Sequence, residues 1–128
     1  ACHRAGSDVH AVGPDLVTVR AAGKAKLLTS IAQPHAEVAP QFIAFTVETM
    51  DGETYSALIA RETPKQVTLR LGGGQELNLE RRAVRSMRSS GQSLMPEGLL
   101  SGLSPQAVAD LLEFVAHAPA PVSVPAKP

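Results

Sequence analysis

The chain has no second cysteine. Cys2 is its single one in 128 residues, so no internal disulfide can staple it. It has no tryptophan, and aromatic residues make up 3 % of it, namely Phe42, Phe45, Phe114 and Tyr55. Large rings normally dominate core energetics, so a core short of them leaves room at its centre for a group other than protein. It carries no excess charge: 12 Lys+Arg balance 12 Asp+Glu, and the pI is near 7.1. No global field therefore draws it to nucleic acid or to an anionic membrane. No apolar run approaches the ~20 residues of a membrane span, and no charged stretch leads into the apolar run that a signal peptide needs. Neither nucleic acid nor direct membrane insertion is expected. There is no initiating Met, and Ala1 reads as a cut point inside a longer protein, with any targeting information upstream.

What is present divides the 13.4 kDa chain into parts by period. Residues 1–40 run from loop to helix. "GPDL" is a turn signal, and "KAKLLTSIAQP" sets Ala25, Leu27, Leu28, Ile31 and Ala32 on one helical face until Pro34 ends it. "HAEVAP" then reads as a connection. Over residues 41–88 the period becomes two. "FIAFTVETM", a hairpin signal at Asp51-Gly52, "TYSALIARE", "KQVTLRL", the turn "GGGQ" and "ELNLE" follow one another as an antiparallel meander, a small curled sheet or barrel. Residues 89–117 return to helix, with a turn of helix at 97–100 and then a longer one. Ser104 is placed to cap that helix, Pro105 suits its first position, and Val108, Leu111, Leu112 and Val115 form its apolar face. The Pro/Ala-rich tail, 118–128, has no period and reads as a linker or a disordered end.

Against this background Cys2 is followed directly by His3. Chance alone produces such a neighbour about one time in thirty, a typical risk for a short motif. A Cys before a His is also the last part of CxxCH, the c-type haem attachment motif. In that chemistry two thiols add to the porphyrin vinyl groups, and the next imidazole is held under the iron. The first Cys of such a motif would stand two positions before Ala1. A haem iron with one His ligand has a second axial position, which Met fills in electron carriers. Met50 lies beside a hairpin and Met87 lies in the β segment. Met95 stands in an irregular loop, followed directly by Pro96, whose fixed φ suits a ligand loop held at constant geometry. Gap-filling in a core is the ordinary use of Met. Met95 lies 92 positions after His3, and removing the 48-residue β segment leaves 44, a span that suits a short haem-binding helical core.

"CHRAG", "GPDL", "LLTSIAQP", "FTVETMDGE", "SLMPEGL" and "LSPQAVADLLEFV" together resemble the cytochrome c superfamily. More closely, they resemble the haem-binding domain at the C-terminal ends of large multidomain bacterial proteins, often beside dehydrogenase-like propellers. The resemblance covers about residues 2–116. It implies a mostly α, cytochrome c-like helical core with an inserted small antiparallel β-sheet or barrel, α+β overall. It implies covalent haem c with its iron, Cys2 as one thioether anchor, His3 as proximal ligand and Met95 as distal ligand. It implies that Pro14 offers its carbonyl to the ring N–H of His3, fixing the tautomer, and it places Leu16 of the same motif among the cofactor-binding residues. The implied role is electron transfer rather than catalysis, extracytoplasmic in a bacterium, with a redox protein or a fused dehydrogenase domain as partner. With one Cys, the chain as written can form only one thioether.

Of the remaining histidines, His10, His35 and His117 read as exposed loop or helix-end residues. Arg81, Arg82, Arg85 and Arg88 precede the Met95 loop. Without interleaved aromatics they do not suggest RNA binding, and Arg88 is the candidate partner for a haem propionate. "LGGGQ" is too short for a phosphate loop, Ser93 has no base at a defined spacing, and no paired carboxylates stand out, so a hydrolase has no footing. Besides electron transfer, the other class open to the chain is a non-catalytic interaction module built on the small sheet, with haem binding lost or incomplete.

Overall fold

The structure is a computed structural model, and it describes residues 2–4 and 11–117. His10 and the tail 118–128 lie outside the described residues. The secondary structure follows the switch in sequence period. Helices α1 (Leu16–Val19) and α2 (Lys24–Ala32) come first, then strands β1 (Ile43–Thr49), β2 (Thr54–Glu62), β3 (Gln66–Arg70), β4 (Glu76–Glu80) and β5 (Val84–Ser93), and finally helix α3 (Pro105–Ala116).

All strand pairs are antiparallel, in the order β4-β3-β2-β1-β5. The expected hairpin between β1 and β2 turns at Asp51-Gly52, where Gly52 has φ +94°, a left-handed conformation that glycine adopts without a Cβ penalty. Thr49 locks the turn. Its hydroxyl donates to the Asp51 carboxylate and accepts from the Glu53 N–H at 3.0 Å.

The sheet must be rolled. Between β4 and β5 the chain makes one 3₁₀ turn, Arg81–Ala83, which advances only ~2 Å per residue. In a flat sheet of this order the two edge strands would stand at least four spacings apart, ~19 Å. Curling brings the edges within reach of that short turn and wraps every strand around one cluster. Val47, Ala57, Val67 and Leu69 are fully buried there, under Phe45, Tyr55, Ile59, Leu77, Leu79, Val84 and Met87 from all five strands. Alternation along each strand puts these residues on one face, with the β-bulge between Val84 and Ser86 resetting β5.

The helices form a second, smaller cluster. Leu27 of α2 and Leu112 and Val115 of α3 are buried together, with Leu16, Val19, Ile31, Val108 and Leu111 packed around them. The α3 boundary and face are as the sequence predicts: Ser104 Oγ accepts from the Ala107 N–H at 3.1 Å and Pro105 takes the first position. Lys24 reaches across to Glu113, joining the start of α2 to α3. That hydrogen bond, with the Lys24 charge and a smaller contribution from His117, holds the Glu113 carboxyl below its ordinary pKa.

Three expectations need correction. The fold is α+β around a central five-stranded antiparallel sheet with three short helices; it is not a mostly helical core carrying a β insertion. The reason is length and burial. Strands of seven, nine, five, five and ten residues outweigh helices of four, nine and twelve. Four residues reach complete burial in the sheet cluster and none in the helical one, so the sheet is the body and the helices pack beside it. Second, the last strand runs on past Arg88 to Ser93. Its end carries no apolar alternation, because Ser90, Gly91 and Gln92 bulge opposite Ala44 between the pairs Phe45–Ser89 and Ile43–Ser93. Third, residues 97–100 form turns rather than helix. The low aromatic content is met by two small aliphatic clusters in place of one large core.

Candidate functional site

The N-terminal segment is held by its backbone. The Cys2 carbonyl accepts from the N–H groups of Val12 and Gly13 at 3.0 and 2.8 Å, and the Arg4 carbonyl accepts from the Leu16 N–H at 3.1 Å. Arg4 Nε also pairs with Asp15 Oδ2 at 3.0 Å, and Asp15 Oδ1 caps α1 by accepting from the Val17 N–H at 2.9 Å. Residues 2–4 are thereby zipped to residues 12–17, with the His3 ring between them.

That ring has a defined seat. Its Nδ1 lies 2.8 Å from the Pro14 carbonyl oxygen, the contact the sequence resemblance implies. A carbonyl only accepts, so Nδ1 carries a proton, and in the neutral ring the free lone pair is on Nε2. Among the described residues Nε2 has no hydrogen-bond partner. Gly13 makes room for the imidazole: a Cβ there would stand 2.5 Å from Cε1 and 2.7 Å from Nδ1 of His3. An imidazole with one nitrogen tied to a backbone carbonyl and the other free is the form in which histidine ligates metals.

The other site residues differ in their surroundings. Cys2 is exposed, and its thiol donates to the Gly72 carbonyl at 3.3 Å in the β3–β4 turn. Leu16 opens α1 and packs into the helical cluster. Met95 is half-buried in the loop after β5, its N–H donating to Ser93 Oγ at 3.0 Å. Arg88 is exposed on β5 opposite Thr46. The structure brings Cys2, His3, Pro14 and Leu16 together on two zipped segments. Met95 and Arg88 form no hydrogen bond or ion pair with any of these four residues.

Two residues with structural parts to play escaped sequence reasoning. Gly13 opens the "GPDL" turn signal, but its part in seating the His3 ring shows only in the fold. His35, expected in solvent, has a side chain only 25 % exposed. Its Nδ1 accepts from the Ser93 N–H at 3.2 Å. No local sequence signal links positions 58 residues apart. His117, by contrast, is exposed at the C-terminal end of α3, as expected. The Ser93 hydroxyl accepts from Met95 while His35 meets the Ser93 backbone, so these two side chains form no nucleophile–base pair.

Elsewhere, a groove of about 400 Å³ lies between Pro64–Gln66 and Glu80–Arg82. Its arginines are already paired, Arg81 with Glu62 and Arg82 with Glu80, and it contains none of the residues above. Among the described residues no three His, Cys, Asp or Glu side chains converge as a metal cage, and no helix is long and apolar enough to cross a membrane. In comparisons with known proteins, no family model matches the chain and no curated protein matches it.

Proposed function

We propose that this chain is a haem c-binding electron-transfer domain in which His3 is the proximal ligand of the iron and Met95 the distal one. The seat of His3 carries the reading. The Pro14 carbonyl fixes the ring tautomer and Gly13 lets the ring lie against the backbone, so Nε2 is offered as a neutral donor. The adjacent Cys2 thiol is exposed, as a thioether anchor requires, and the residues present fit the group on one axial side.

When bound, the haem supplies a one-electron couple whose potential is set by axial ligands, burial and nearby hydrogen bonds. The chain's own residues orient and insulate. Pro14 strengthens donation from His3 by accepting the hydrogen bond from its Nδ1–H. Met95 contributes a thioether, a soft, weakly basic donor that favours the reduced metal. Arg88, exposed and without an ion-pair partner among the described residues, supplies a positive charge for a propionate. No bond in a substrate is made or broken, so the domain is not itself an enzyme. Its partner is a redox protein or a fused dehydrogenase domain on the extracytoplasmic side of a bacterial membrane.

The test is spectroscopic. Produced in a haem-maturation-competent periplasm, with a cysteine two positions ahead of Ala1 to complete CxxCH, the protein is expected to show a Soret band and a Met-to-iron charge-transfer band. Met95→Ala removes the second band and keeps the first. A protein without a Soret band overturns the proposal and leaves the sheet-based interaction module as the reading.

A further inference from the structure

His35 lies between the two ends of the Met95 loop and is hydrogen-bonded to the first. Two residues before Met95, the Ser93 N–H donates to Nδ1 of His35 at 3.2 Å. Two residues after it, Oε1 of Glu97 lies 4.0 Å from Nε2 of the same ring. Because Nδ1 accepts, the neutral ring carries its proton on Nε2, beyond hydrogen-bond distance of that carboxylate. Ser93 passes the constraint on, its Oγ accepting from the Met95 N–H at 3.0 Å. A hydrogen-bonded relay thus runs from His35 through Ser93 to the Met95 backbone, and Pro96 stiffens the far side by fixing its own φ.

His35 is itself well anchored. It follows buried Pro34 at the end of α2, in a turn closed by the Ala36 N–H on the Gln33 carbonyl at 3.1 Å. Ser93 is pinned independently, opposite Ile43 where β5 pairs with β1. The ring therefore ties the end of α2 to the end of the sheet at the point where the Met95 loop begins.

We propose that His35 is the positioning residue of the Met95 loop: as a hydrogen-bond acceptor for the Ser93 N–H, it sets where the Met95 thioether is presented. The inference rests on the reading of Met95 as an axial ligand. A thioether is a weak donor, and its bond to a metal depends on being held in place by the chain.

Amide hydrogen exchange reads the relay with or without haem, and the Met-to-iron band reads its consequence in the haem-loaded protein. His35→Leu is expected to speed exchange at Ser93 and Met95 about tenfold, the loss of roughly one buried hydrogen bond, and to weaken or abolish the Met-to-iron band while the Soret band stays. His35→Asn puts an amide oxygen where Nδ1 was and is expected to restore both. Should His35→Leu not fold, Ser93→Ala cuts only the second link: exchange speeds at Met95 while the residue 93 amide stays protected. Unchanged exchange in His35→Leu, no rescue by His35→Asn, or a Met-to-iron band indifferent to both overturns the inference. A wild-type protein with no Soret band overturns the ligand assignment alone, since the exchange measurement still decides whether His35 holds the loop.

Discussion

Replacing Gly13 by Ala tests the seat of His3 with the addition of one methyl group. The added Cβ would stand 2.5, 2.7 and 3.0 Å from Cε1, Nδ1 and Nε2 of the His3 ring, all well inside the 3.5–4.0 Å of comfortable carbon contacts. Gly13 is not among the glycines with positive φ, so the penalty is steric rather than conformational. The ring must move by roughly 1 Å to escape, which breaks the 2.8 Å bond to Pro14. Loss of one such hydrogen bond costs about 0.5–1.5 kcal/mol. Ligand donation should suffer more, since disturbing the group that orients a metal-bound His typically costs about 10–100-fold in affinity. Nitrogen NMR of the imidazole is the direct assay. The neutral wild-type ring should show a single Nδ1–H tautomer, and that of Gly13→Ala a mixture of tautomers. Gly102 serves as the control, because a Cβ there meets nothing within 4 Å and its φ is not left-handed; Gly102→Ala should be neutral or slightly stabilising. A Gly13→Ala protein whose His3 tautomer and chemical shifts match the wild type would refute the reasoning.

Leu69→Ala, in the fully buried sheet cluster, should cost about 2–5 kcal/mol by denaturant unfolding. Leu112→Ala in the helical cluster should cost a similar amount, and the pair should add, since separate clusters without shared partners do not couple. Ser104→Ala removes the N-cap of α3 and should cost about 1 kcal/mol, with helix content falling on circular dichroism. Asp51 has its pKa lowered, first by the Thr49 hydroxyl and then by the Glu53 N–H. A carboxylate lowered on folding stabilises above its unfolded pKa, and the effect fades as pH falls through the folded one. Asp51→Asn should therefore be less stable than wild type at neutral pH and equal to it in strong acid, as read by unfolding midpoints across pH. Arg88→Ala should shift the midpoint potential or loosen haem; if it does neither, the propionate pairing is wrong.

The strands were legible because their chemistry is local. Alternation in "TYSALIARE" and "ELNLE", with Asp51-Gly52 between β1 and β2, is enough to place β2 and β4 at Thr54–Glu62 and Glu76–Glu80. The start of α3 was legible for the same reason, since Ser104 and Pro105 signal it within two residues. The far end of β5 was not, because Ser89, Ser90, Gly91 and Gln92 carry no period. They are strand only through pairing with β1 and through the Ser90 hydroxyl donating to the Ala44 carbonyl at 2.7 Å. The proportion of sheet to helix is not legible from the short motifs that resemble a helical family, because most of them lie outside the central strands. The buried residues that decide the fold are the plain aliphatics Val47, Val67 and Leu69 in the middle. At the site, the contact of His3 with Pro14 is one that the family resemblance implies. The part of His35 was not, since it depends on a pairing of Ile43 with Ser93 that no sequence window contains.

That pairing changes the meaning of the long interval between His3 and Met95. The chain enters the sheet at Ile43 and leaves it at Ser93, and these two residues are antiparallel partners, so entry and exit lie about 5 Å apart. The intervening residues close a loop whose ends meet. From the helical side, then, the distance between the end of α2 and the Met95 loop is that of a short connection, whatever the length of chain in the sheet. The entropy of closing such a loop grows only with the logarithm of its length, and the rolled core around Val47 and Leu69 offsets it. His35 sits at this junction. The sheet therefore brings the end of α2 next to the Met95 loop, two segments remote in sequence, and His35 joins them through the Ser93 N–H. A change that opens the β1–β5 end, such as Ser90→Pro, should release the loop even though it touches neither His35 nor Met95.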